Sequence, residues 1–462
     1  MKRRYFCVVL PVLIVAVLVP GVANAQVDAY HLTGINFNFA NPGARARGIG
    51  GAFVALADDA TASLANPAGL AYLDSQLSLE FIHDEEHAPV GQVTQGGVVR
   101  TENQTGYLFT ADNDPFRVTG KSESDRVNYV SFVFPVAKRK VGLAVYYSSL
   151  GHLRQEYEVG AGLWCVDQGT PFTPNAGESC DRSTFGSLYH PQSVMVDMET
   201  RLFGGGFGWK LSDVFSIGLS AAYAETRLSG SSLSDPTEYY PDQDVLNLAS
   251  EIDDGDFMYS AGILYRGNAV GFGLSYRSEV RFPVLSQVEN LTSTETEREF
   301  DGEFLIPERF AGGLAFFPSD RWVIALEYVH LPYSGMPQAM PEQYNTIRQQ
   351  QGVEYSMADV DEYHVGFEYT TFSDNKGWSF RVGFWRDQSH LIYSSQGYPI
   401  PAETLRDETQ AGAALLYREL ELDFDHFTAG IGAAFGSVRF DAAVDYSSDA
   451  GTDYLLSGVV YF

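Results

Sequence analysis

Residues 43–73 read GARARGIGGAFVALADDATASLANPAGLAYL, and this stretch decides how the rest of the chain is interpreted. It fits neither a membrane strand nor a solvent loop, because most of its apolar residues are alanine and glycines recur along it. Glycine permits tight turns and close approach between backbones. Asp58 and Asp59 precede a short Ala/Leu run, where a carboxylate can cap a helix, and Pro67 ends that run after Asn66. The pattern predicts small helices and turns that pack inside a larger structure.

The same stretch carries a family resemblance. Its glycine-rich start, the Asp-Asp-Ala-Thr-Ala run at 58–62 and the Asn-Pro-Ala-Gly-Leu motif at 66–70 resemble the N-terminal hatch of FadL-like outer-membrane transporters. Related outer-membrane barrels with other functions share versions of this motif. The resemblance implies that residues 26–73 form a hatch, or plug, in the lumen of a barrel. It also implies a gate made by Asn66, Pro67, Ala68 and Gly69.

Residues 1–25 have the parts of a secretory signal peptide. Three basic residues at 2–4 precede an apolar run over 5–19, and the small residues at 23–25 fit a cleavage site. The apolar run is short for a helix that spans a membrane. We therefore expect an exported protein with Gln26 at the mature N-terminus, and the family resemblance implies a Gram-negative bacterium.

The composition fits an exported membrane barrel. Aromatic residues make up 14% of the chain and glycine occurs 45 times, both high for a soluble domain. The formal net charge of −29 becomes −32 when the three basic residues of the signal are removed. Such a chain is not expected to bind nucleic acid through phosphate contacts. The acidic residues cluster in long loops, which favours a solvated acidic surface; divalent-cation bridging to anionic lipid is the alternative.

From Ser75 onward, apolar residues recur at every second position. Strand side chains point alternately to two faces, and repeated segments of about ten such residues are typical of transmembrane β-barrels. Short links alternate with long polar loops, as in outer-membrane proteins. The sequence predicts an all-β membrane protein: an antiparallel, roughly 14-stranded transmembrane β-barrel over 74–462 with an N-terminal hatch. A soluble β-sandwich seldom combines so many strands with this loop asymmetry.

The C-terminal segment supports the same interpretation. Residues 453–462 end on Phe462, with Tyr454, Leu456 and Val460 on the same face. This arrangement resembles the signature by which the barrel-assembly machinery recognises outer-membrane barrels. Aromatic residues at strand ends suit membrane interfaces, so outer-membrane lipid is an expected partner. We expect a monomer in the bacterial outer membrane, without a metal or a cofactor.

The lumen is the expected ligand site, because a barrel of this size is wider than eight-stranded barrels filled by side chains. Segments 127–136 and 141–150 are apolar on both faces, which indicates a site for an apolar ligand. We expect Tyr129 and Val133 to face lipid. The predicted inward, ligand-binding residues are Val130, Phe132, Phe134, Tyr146, Phe203 and Phe207. Packing against the hatch is the alternative for each of them.

Contacts between the hatch and the wall can also be predicted. Arg45 and Arg47 either pair with inward acids or stay solvated. The candidate acids are Glu327, Glu368 and Asp441. The family resemblance further implies a sideways opening at a kink in the third strand, where Gly142 would permit a distortion.

Two loop features are candidates for further roles. Residues 242–252 place Val245, Leu248 and Ile252 at helical spacing, so they predict an outer amphipathic helix that offers a groove to an acyl chain. A helix packed on the other loops is the alternative. Cys165 and Cys180 are the only cysteines after the signal, and an oxidising periplasm favours a disulfide. Closing this loop of about 15 residues would contribute roughly 3 kcal/mol.

Enzyme motifs are weak. Residues 83–87 read HDEEH and match a zinc-protease pattern, but that chemistry needs both histidines on one helical face, and here the pattern follows an alternating strand. A scattered Ser/His pair on the wall, as in outer-membrane phospholipases, stays open. We therefore expect no enzyme. The leading function is passive uptake of long-chain fatty acids or other hydrophobic compounds, and the alternative is a docking or secretion barrel without small-molecule transport.

Overall fold

The structure of the protein is a computed structural model. It describes residues 39–89, 99–100, 105–110, 119–137, 140–159, 162–167, 188–189, 192–235, 245–292, 295–336, 355–373, 376–388, 390, 393–394, 423–448 and 451–462. The signal peptide and the first part of the predicted hatch lie outside these ranges. So do Cys180 and the side chain of Cys165, so the disulfide stays a prediction.

Sixteen strands of the described chain form one antiparallel sheet. They are β1 (Gln76–Pro89), β2 (Thr119–Val136), β3 (Val141–Val159), β4 (Gln192–Lys210), β5 (Phe215–Ser234), β6 (Leu246–Arg266), β7 (Val270–Arg277), β8 (Val280–Asn290), β9 (Glu295–Ile306), β10 (Arg309–Ser319), β11 (Trp322–Leu331), β12 (Val360–Ser373), β13 (Lys376–Asp387), β14 (Phe424–Phe435), β15 (Val438–Ser447) and β16 (Gly451–Tyr461).

The sheet closes into a ring of 14 wall strands. β7 and β8 are two parts of one wall strand, interrupted only at 278–279, and β9 and β10 are related in the same way around 307–308. β6 pairs with β7 near its C-terminal end and with β8 near its start, while β16 pairs with β1. The predicted 14-stranded antiparallel barrel is therefore confirmed.

Short elements complete the described chain. Helices α1 (Ala44–Gly48) and α2 (Ala62–Ala65) and a 3₁₀ helix (Pro67–Tyr72) precede β1, and a second 3₁₀ helix (Tyr333–Gly335) follows β11. Outside the ring, the segments Val99–Arg100, Thr105–Thr110, Gly162–Asp167 and Leu188–Tyr189 form a small sheet, and Tyr355–Ser356 pairs with Tyr393–Ser394. None of the helices in the described residues is long and apolar enough to cross a bilayer.

Large apolar side chains cover the outside of the ring. They include Leu77, Phe81, Leu219, Tyr223, Phe272, Leu314, Phe367, Phe380, Phe440 and Leu456. The residues between them are buried toward the lumen, for example Ser220, Glu368 and Asp441. This alternation confirms the predicted two-faced strands and gives the barrel an apolar surface toward lipid.

The predicted orientation of β2 is wrong. Tyr129 and Val133, expected to face lipid, are fully buried, whereas Phe132 is 40% exposed on the outer face. Inside the barrel, the hydroxyl of Tyr129 donates to the carbonyl of Ala60 at 3.0 Å, and that of Ser131 donates to the same oxygen at 2.9 Å. Both faces of β2 are apolar, so composition could not set its register, and a shift of one residue reverses every side chain.

The orientation error extends to most of the predicted ligand-binding residues. Val130 and Phe134 share the outward face of β2 with Phe132. Phe203 and Phe207 on β4 are also outward, at 48% and 36% exposure. The inward positions of β4 between them are glycines: a Cβ at Gly206 would meet Leu70 of the hatch, and one at Gly204 would meet the ring of Tyr146. Only Tyr146 points inward as predicted, where it is buried and its hydroxyl bonds to Ser220 at 2.8 Å.

The predicted outer helix over 242–252 is also wrong. From residue 246 onward this segment belongs to β6, which pairs with β5 on one side and with β8 on the other. Val245 immediately precedes the strand, Leu248 lies within it, and Ile252 is buried toward the lumen opposite Leu228. Apolar residues here also recur at every second position, and two neighbouring strands supply the hydrogen bonds that a helix would make internally.

Candidate functional site

Four glycines on neighbouring strands form a row against which the hatch lies. They are Gly142 on β3, Gly208 on β4, Gly218 on β5 and Gly262 on β6, which are successive cross-strand partners. A Cβ at Gly218 would lie 2.2 Å from the carbonyl carbon of Pro67, and one at Gly142 would lie 1.9 Å from the Leu70 oxygen. These contacts exclude any side chain. The row therefore seats the Pro67–Tyr72 helix directly on the wall backbone.

Asn66 joins the hatch to the wall. Its side-chain oxygen accepts from the N–H of Ala68 at 3.2 Å and caps the 3₁₀ helix. Its amide donates to the carbonyl of Val54 at 2.9 Å and to that of Ile263 on β6 at 3.1 Å. The side chain is fully buried. One residue thus closes a turn of the hatch and bonds that turn to the barrel.

The other three residues of the predicted gate are packed in the same place. Pro67 occupies the first position of the 3₁₀ helix, where its missing N–H costs nothing. The carbonyl of Ala68 accepts from the Ser216 hydroxyl at 2.8 Å. A Cβ at Gly69 would lie 2.1 Å from the carbonyl oxygen of Ala57. The motif is thus a close contact between the hatch and strands β4 to β6.

A buried ion-pair network holds the hatch on the opposite side of the lumen. Arg45 of α1 makes two bonds to Glu368 on β12, at 2.9 and 3.0 Å, and also pairs with Asp58. Arg381 on β13 donates to the same Glu368 at 2.6 Å. Of the two alternatives for Arg45, pairing with an inward acid is therefore the one observed.

The network continues back to the hatch. Arg381 pairs with Asp441 on β15 at 2.8 Å, and Arg439 donates to Asp441 at 2.7 Å and to Asp59 at 2.6 Å. Burial alone would raise the pKa of the Asp59 carboxyl, but the guanidinium groups of Arg439 and Arg45 outweigh burial and hold that pKa below its usual value. Asp59 therefore stays ionised and binds the hatch to the wall.

Arg47 forms a second connection to the same side of the barrel. It pairs with Asp445 at 3.1 Å and with Asp453 at 3.4 Å. Asp445 also accepts from the indole N–H of Trp385 at 3.0 Å and contacts His426 at 3.0 Å. Glu368, the partner of Arg45, was among the acids predicted for the two arginines. Asp445 and Asp453, the partners of Arg47, were not.

Glu327 on β11 has a different role from the one predicted. Its carboxylate accepts from the backbone N–H groups of Phe53 and Val54 at 2.7 and 2.8 Å. It also accepts from Asn41 at 3.0 Å and from Arg309 at 2.9 Å. One buried carboxylate therefore receives backbone donors of the hatch directly, with Arg309 as its counter-ion.

The lumen is divided into a charged side and an apolar side. The wall residues that pair with Arg45 and Arg47, together with Arg381 and Arg439, lie on β12 to β16. Apart from the Arg309–Glu327 pair on β10 and β11, many of the buried inward side chains of β2 to β6 and β8 to β11 are apolar. A continuous apolar cluster includes Tyr129, Tyr146, Leu150, Met198, Leu202, Leu228, Ile252, Met258, Val280, Phe282, Val284, Phe304, Leu331 and Tyr333. On β4, β5 and β6, the glycine row lies near the short turns and the cluster lies farther along each strand. The cluster is therefore on the outer side of the hatch.

Arg277, at the end of β7, is a buried cation beside this apolar cluster. It faces Arg309 across the strand pair, and Arg309 is already paired with Glu327. Its guanidinium lies 5.1 Å from the ring centre of Phe39, which belongs to the cluster. Its buried Nη2 has no hydrogen-bond partner, and no acid of the described residues is within ion-pair distance. Burying such a charge without a partner is costly.

The wall also opens near β3. The ladder between β2 and β3 ends at the pair Tyr129 and Ser148, although both strands continue outward. The register of β3 against β4 shifts between Ser149 and Gly151, so Leu150 is a bulge, and its side chain is buried. The distortion therefore falls at Leu150 and not at Gly142, because Gly142 is packed against the hatch.

Several of these residues escaped the sequence analysis. Arg381 and Arg439 could have been identified from the sequence. Each is a charged residue at an inward position of an alternating strand, and such a residue needs a partner inside the barrel. Arg277 could have been identified in the same way, at the end of a strand. Whether one of these cations has an acidic partner depends on residues that are distant in sequence. A local sequence pattern therefore does not predict it.

The closed ring, the apolar outer surface and the segment packed in the lumen define a plugged outer-membrane β-barrel protein. Comparison with solved structures gives the same fold. A FadL homologue of Pseudomonas aeruginosa matches with a TM-score of 0.55 and 13% identity, over 89% of this chain and 96% of that one. The CymD monoaromatic hydrocarbon channel matches with a TM-score of 0.53 and 14% identity, over 92% and 99%. No protein-family model and no curated protein matches the sequence.

Proposed function

We propose that the protein is an outer-membrane channel for the passive uptake of hydrophobic compounds, with long-chain fatty acids as the leading class. The observation that carries this proposal is the buried guanidinium of Arg277, whose Nη2 has no hydrogen-bond partner, beside a large apolar cluster. A carboxylate ligand would give Arg277 charge-assisted hydrogen bonds. The attached alkyl chain would be covered by the apolar side chains of the lumen.

The fold suggests a route for such a ligand. It would enter from the outer side, through the opening above Tyr129 and Ser148 or between the loops, and reach the apolar cluster. The Pro67–Tyr72 helix then blocks the way to the periplasm, because it lies directly on the wall. Transport therefore requires this segment to move. A gate at Asn66, Pro67, Ala68 and Gly69 is part of the proposal.

The test compares an anionic with a neutral ligand. Arg277→Met removes the charge and keeps the apolar volume, so we expect fatty-acid binding to weaken by about 1.5–3 kcal/mol, roughly 10- to 150-fold in Kd. Binding of a neutral hydrocarbon such as toluene should stay unchanged. Arg281→Met is the matched control, because Arg281 is exposed and ion-paired to Glu279 and Glu303 outside the lumen.

Two results would contradict the proposal. Equal fatty-acid affinity in Arg277→Met and in the unchanged protein would remove Arg277 from the ligand site. Purified protein free of any hydrophobic ligand, with another protein stably bound in native mass spectrometry, would favour a docking or secretion barrel. The fold likeness to CymD and to the FadL homologue supports a channel.

A further inference from the structure

The barrel wall has a second gap, between β6 and β8. On the side of the short turns, β6 pairs with β7, and the last hydrogen bond of this ladder runs from the N–H of Ser278 to the carbonyl of Tyr259 at 2.8 Å. The ladder resumes where Glu251 pairs with Leu285. In the described chain no backbone pairing joins the two strands between these points. Residues 279–284 are unpaired on the side of β6 only, since 280–284 pair with β9 on the other side, and they span about 20 Å at about 3.3 Å per residue.

Two backbone donors on the edge of β6 in this gap bond to neighbouring aspartates. The backbone N–H of Gly255 donates to the carboxylate of Asp254 at 2.7 Å, and that of Phe257 donates to Asp256 at 2.7 Å. Strand donors normally bond to a neighbouring strand, and local side-chain acceptors can replace that neighbour. Two donors of this strand edge are therefore satisfied without a neighbouring strand.

A cavity of about 390 Å³ occupies the gap. It is lined by Glu251, Asp253, Asp254, Pro283, Val284, Leu285 and Gly302. This volume lies within the range of about 300–1,000 Å³ typical of small-ligand sites. The lining combines an acidic side, supplied by β6, with an apolar side, supplied mainly by β8.

The inner side of the gap is continuous with the apolar cluster of the lumen. Val280, Phe282 and Val284 on β8 are buried, as are Ile252 and Met258 on β6, and all five belong to that cluster. A ligand in the cavity is thus separated from the lumen only by apolar side chains.

The gap lies where the outer surface changes from apolar to charged. Phe257 and Tyr259, at its lower end, are exposed aromatic side chains of the kind found at membrane interfaces. Glu251, Asp253 and Asp254, at its upper end, are exposed acids. The gap therefore lies at the outer membrane–water interface, where apolar compounds that partition into the membrane concentrate.

We propose that the gap between β6 and β8 is a lateral port that binds and admits neutral hydrophobic compounds. The apolar wall of β8 and its continuity with the lumen favour an apolar ligand. The acidic mouth repels anions, so a carboxylate is disfavoured here and neutral hydrocarbons are the ligand class. This inference rests on the proposed uptake function. It adds a route, through the gap between β6 and β8, and a selectivity for neutral over anionic compounds.

The test closes the port with a cleavable tether. Asp253→Cys and Pro283→Cys place thiols on opposite sides of the cavity, in a chain in which Cys165 and Cys180 are replaced by serine. A bis-maleimide with a disulfide in its spacer joins the two thiols. In the matched control, Asp253→Cys is combined with Arg227→Cys on β5, since these residues already face each other in a continuous ladder. Toluene and palmitate uptake are measured before and after cleavage of the tether.

We expect the tether across the port to abolish toluene uptake, cleavage to restore it, and the tether between β5 and β6 to have no effect. Palmitate uptake should be unchanged by both tethers. Equal toluene uptake with and without the port tether would overturn the proposal, as would equal loss with both tethers. If the port tether alone abolished the uptake of both palmitate and toluene, the proposed selectivity for neutral compounds would be overturned. An untethered cysteine-free protein that takes up neither compound would instead contradict the uptake function itself.

Discussion

The side-chain amide of Asn66 lies 3.1 Å from the carbonyl oxygen of Ile263, so a single hydrogen bond connects the end of the hatch to strand β6. The same side chain caps the Pro67–Tyr72 helix. The barrel itself is held by its strand ladders. Loss of this side chain should therefore loosen the hatch and leave the barrel intact.

The first prediction concerns this motif. Asn66→Ala removes a cap worth about 1 kcal/mol together with the bond to Ile263, and Pro67→Ala frees the backbone at the start of the helix. We expect both variants to form a normal barrel, seen as heat-modifiable mobility on a gel, and to lose uptake of a labelled fatty acid. Unchanged uptake in both would place the exit elsewhere, and loss of the barrel would make the motif structural.

The second prediction concerns the glycine row. Gly218→Ala would place a methyl group 2.2 Å from the Pro67 carbonyl carbon, so the hatch must move away from the wall. We expect a folded barrel with a raised conductance in planar bilayers. Gly230→Ala, on the same strand, is the control, because its Cβ would meet no heavy atom closer than 3.8 Å. Equal conductance in the two variants would show that the row does not seat the hatch.

The third prediction concerns the buried ion pairs. Glu368→Gln leaves Arg45 and Arg381 without their shared carboxylate, which should destabilise the protein by about 3–5 kcal/mol. The measurement is the temperature at which the heat-modifiable gel shift occurs. Asp425→Asn is the control, because its pair with Arg386 is exposed to solvent, and we expect little change there. A shift no larger than that of the control would mean that the network does not support the hatch.

The fourth prediction is a pH dependence. The pKa of Asp59 is lower in the folded protein than its ordinary value of about 3.9. The stabilisation from this carboxylate is therefore complete above the ordinary value and is lost as the pH falls through the folded pKa. We expect the hatch to become accessible to an acid-active protease only below the ordinary aspartate range.

Asp59→Asn is the control for this titration. The variant should show a more accessible hatch at neutral pH and a smaller change on acidification, because the group that titrates is absent. An identical acid profile in Asp59→Asn and the unchanged protein would assign the transition to another group.

The sequence by itself determined the architecture. Alternating apolar residues, short turns and long loops specify a barrel, because each of these signals acts over a few neighbouring residues. The small helices and turns of 43–73 were predicted for the same reason, since glycines and the proline after Asn66 act locally, whereas the place of this segment in a lumen was implied by the family resemblance and the capping by Asn66 was not predicted. The inward acids on β12 and β15 were visible as polar residues within alternating strands.

The tertiary structure decided everything that depends on which strands are neighbours. β2 is apolar on both faces, and its orientation follows from its pairing with β1 and β3 and from the bonds of Tyr129 and Ser131 to the hatch. Residues 246–252 have helical spacing, but pairing with β5 and β8 makes them a strand. Arg309 faces Arg277 and pairs with Glu327, whereas the Nη2 of Arg277 has no hydrogen-bond partner. Burial, charge pairing and gaps in a ladder are properties of residues far apart in the chain, and local patterns do not contain them.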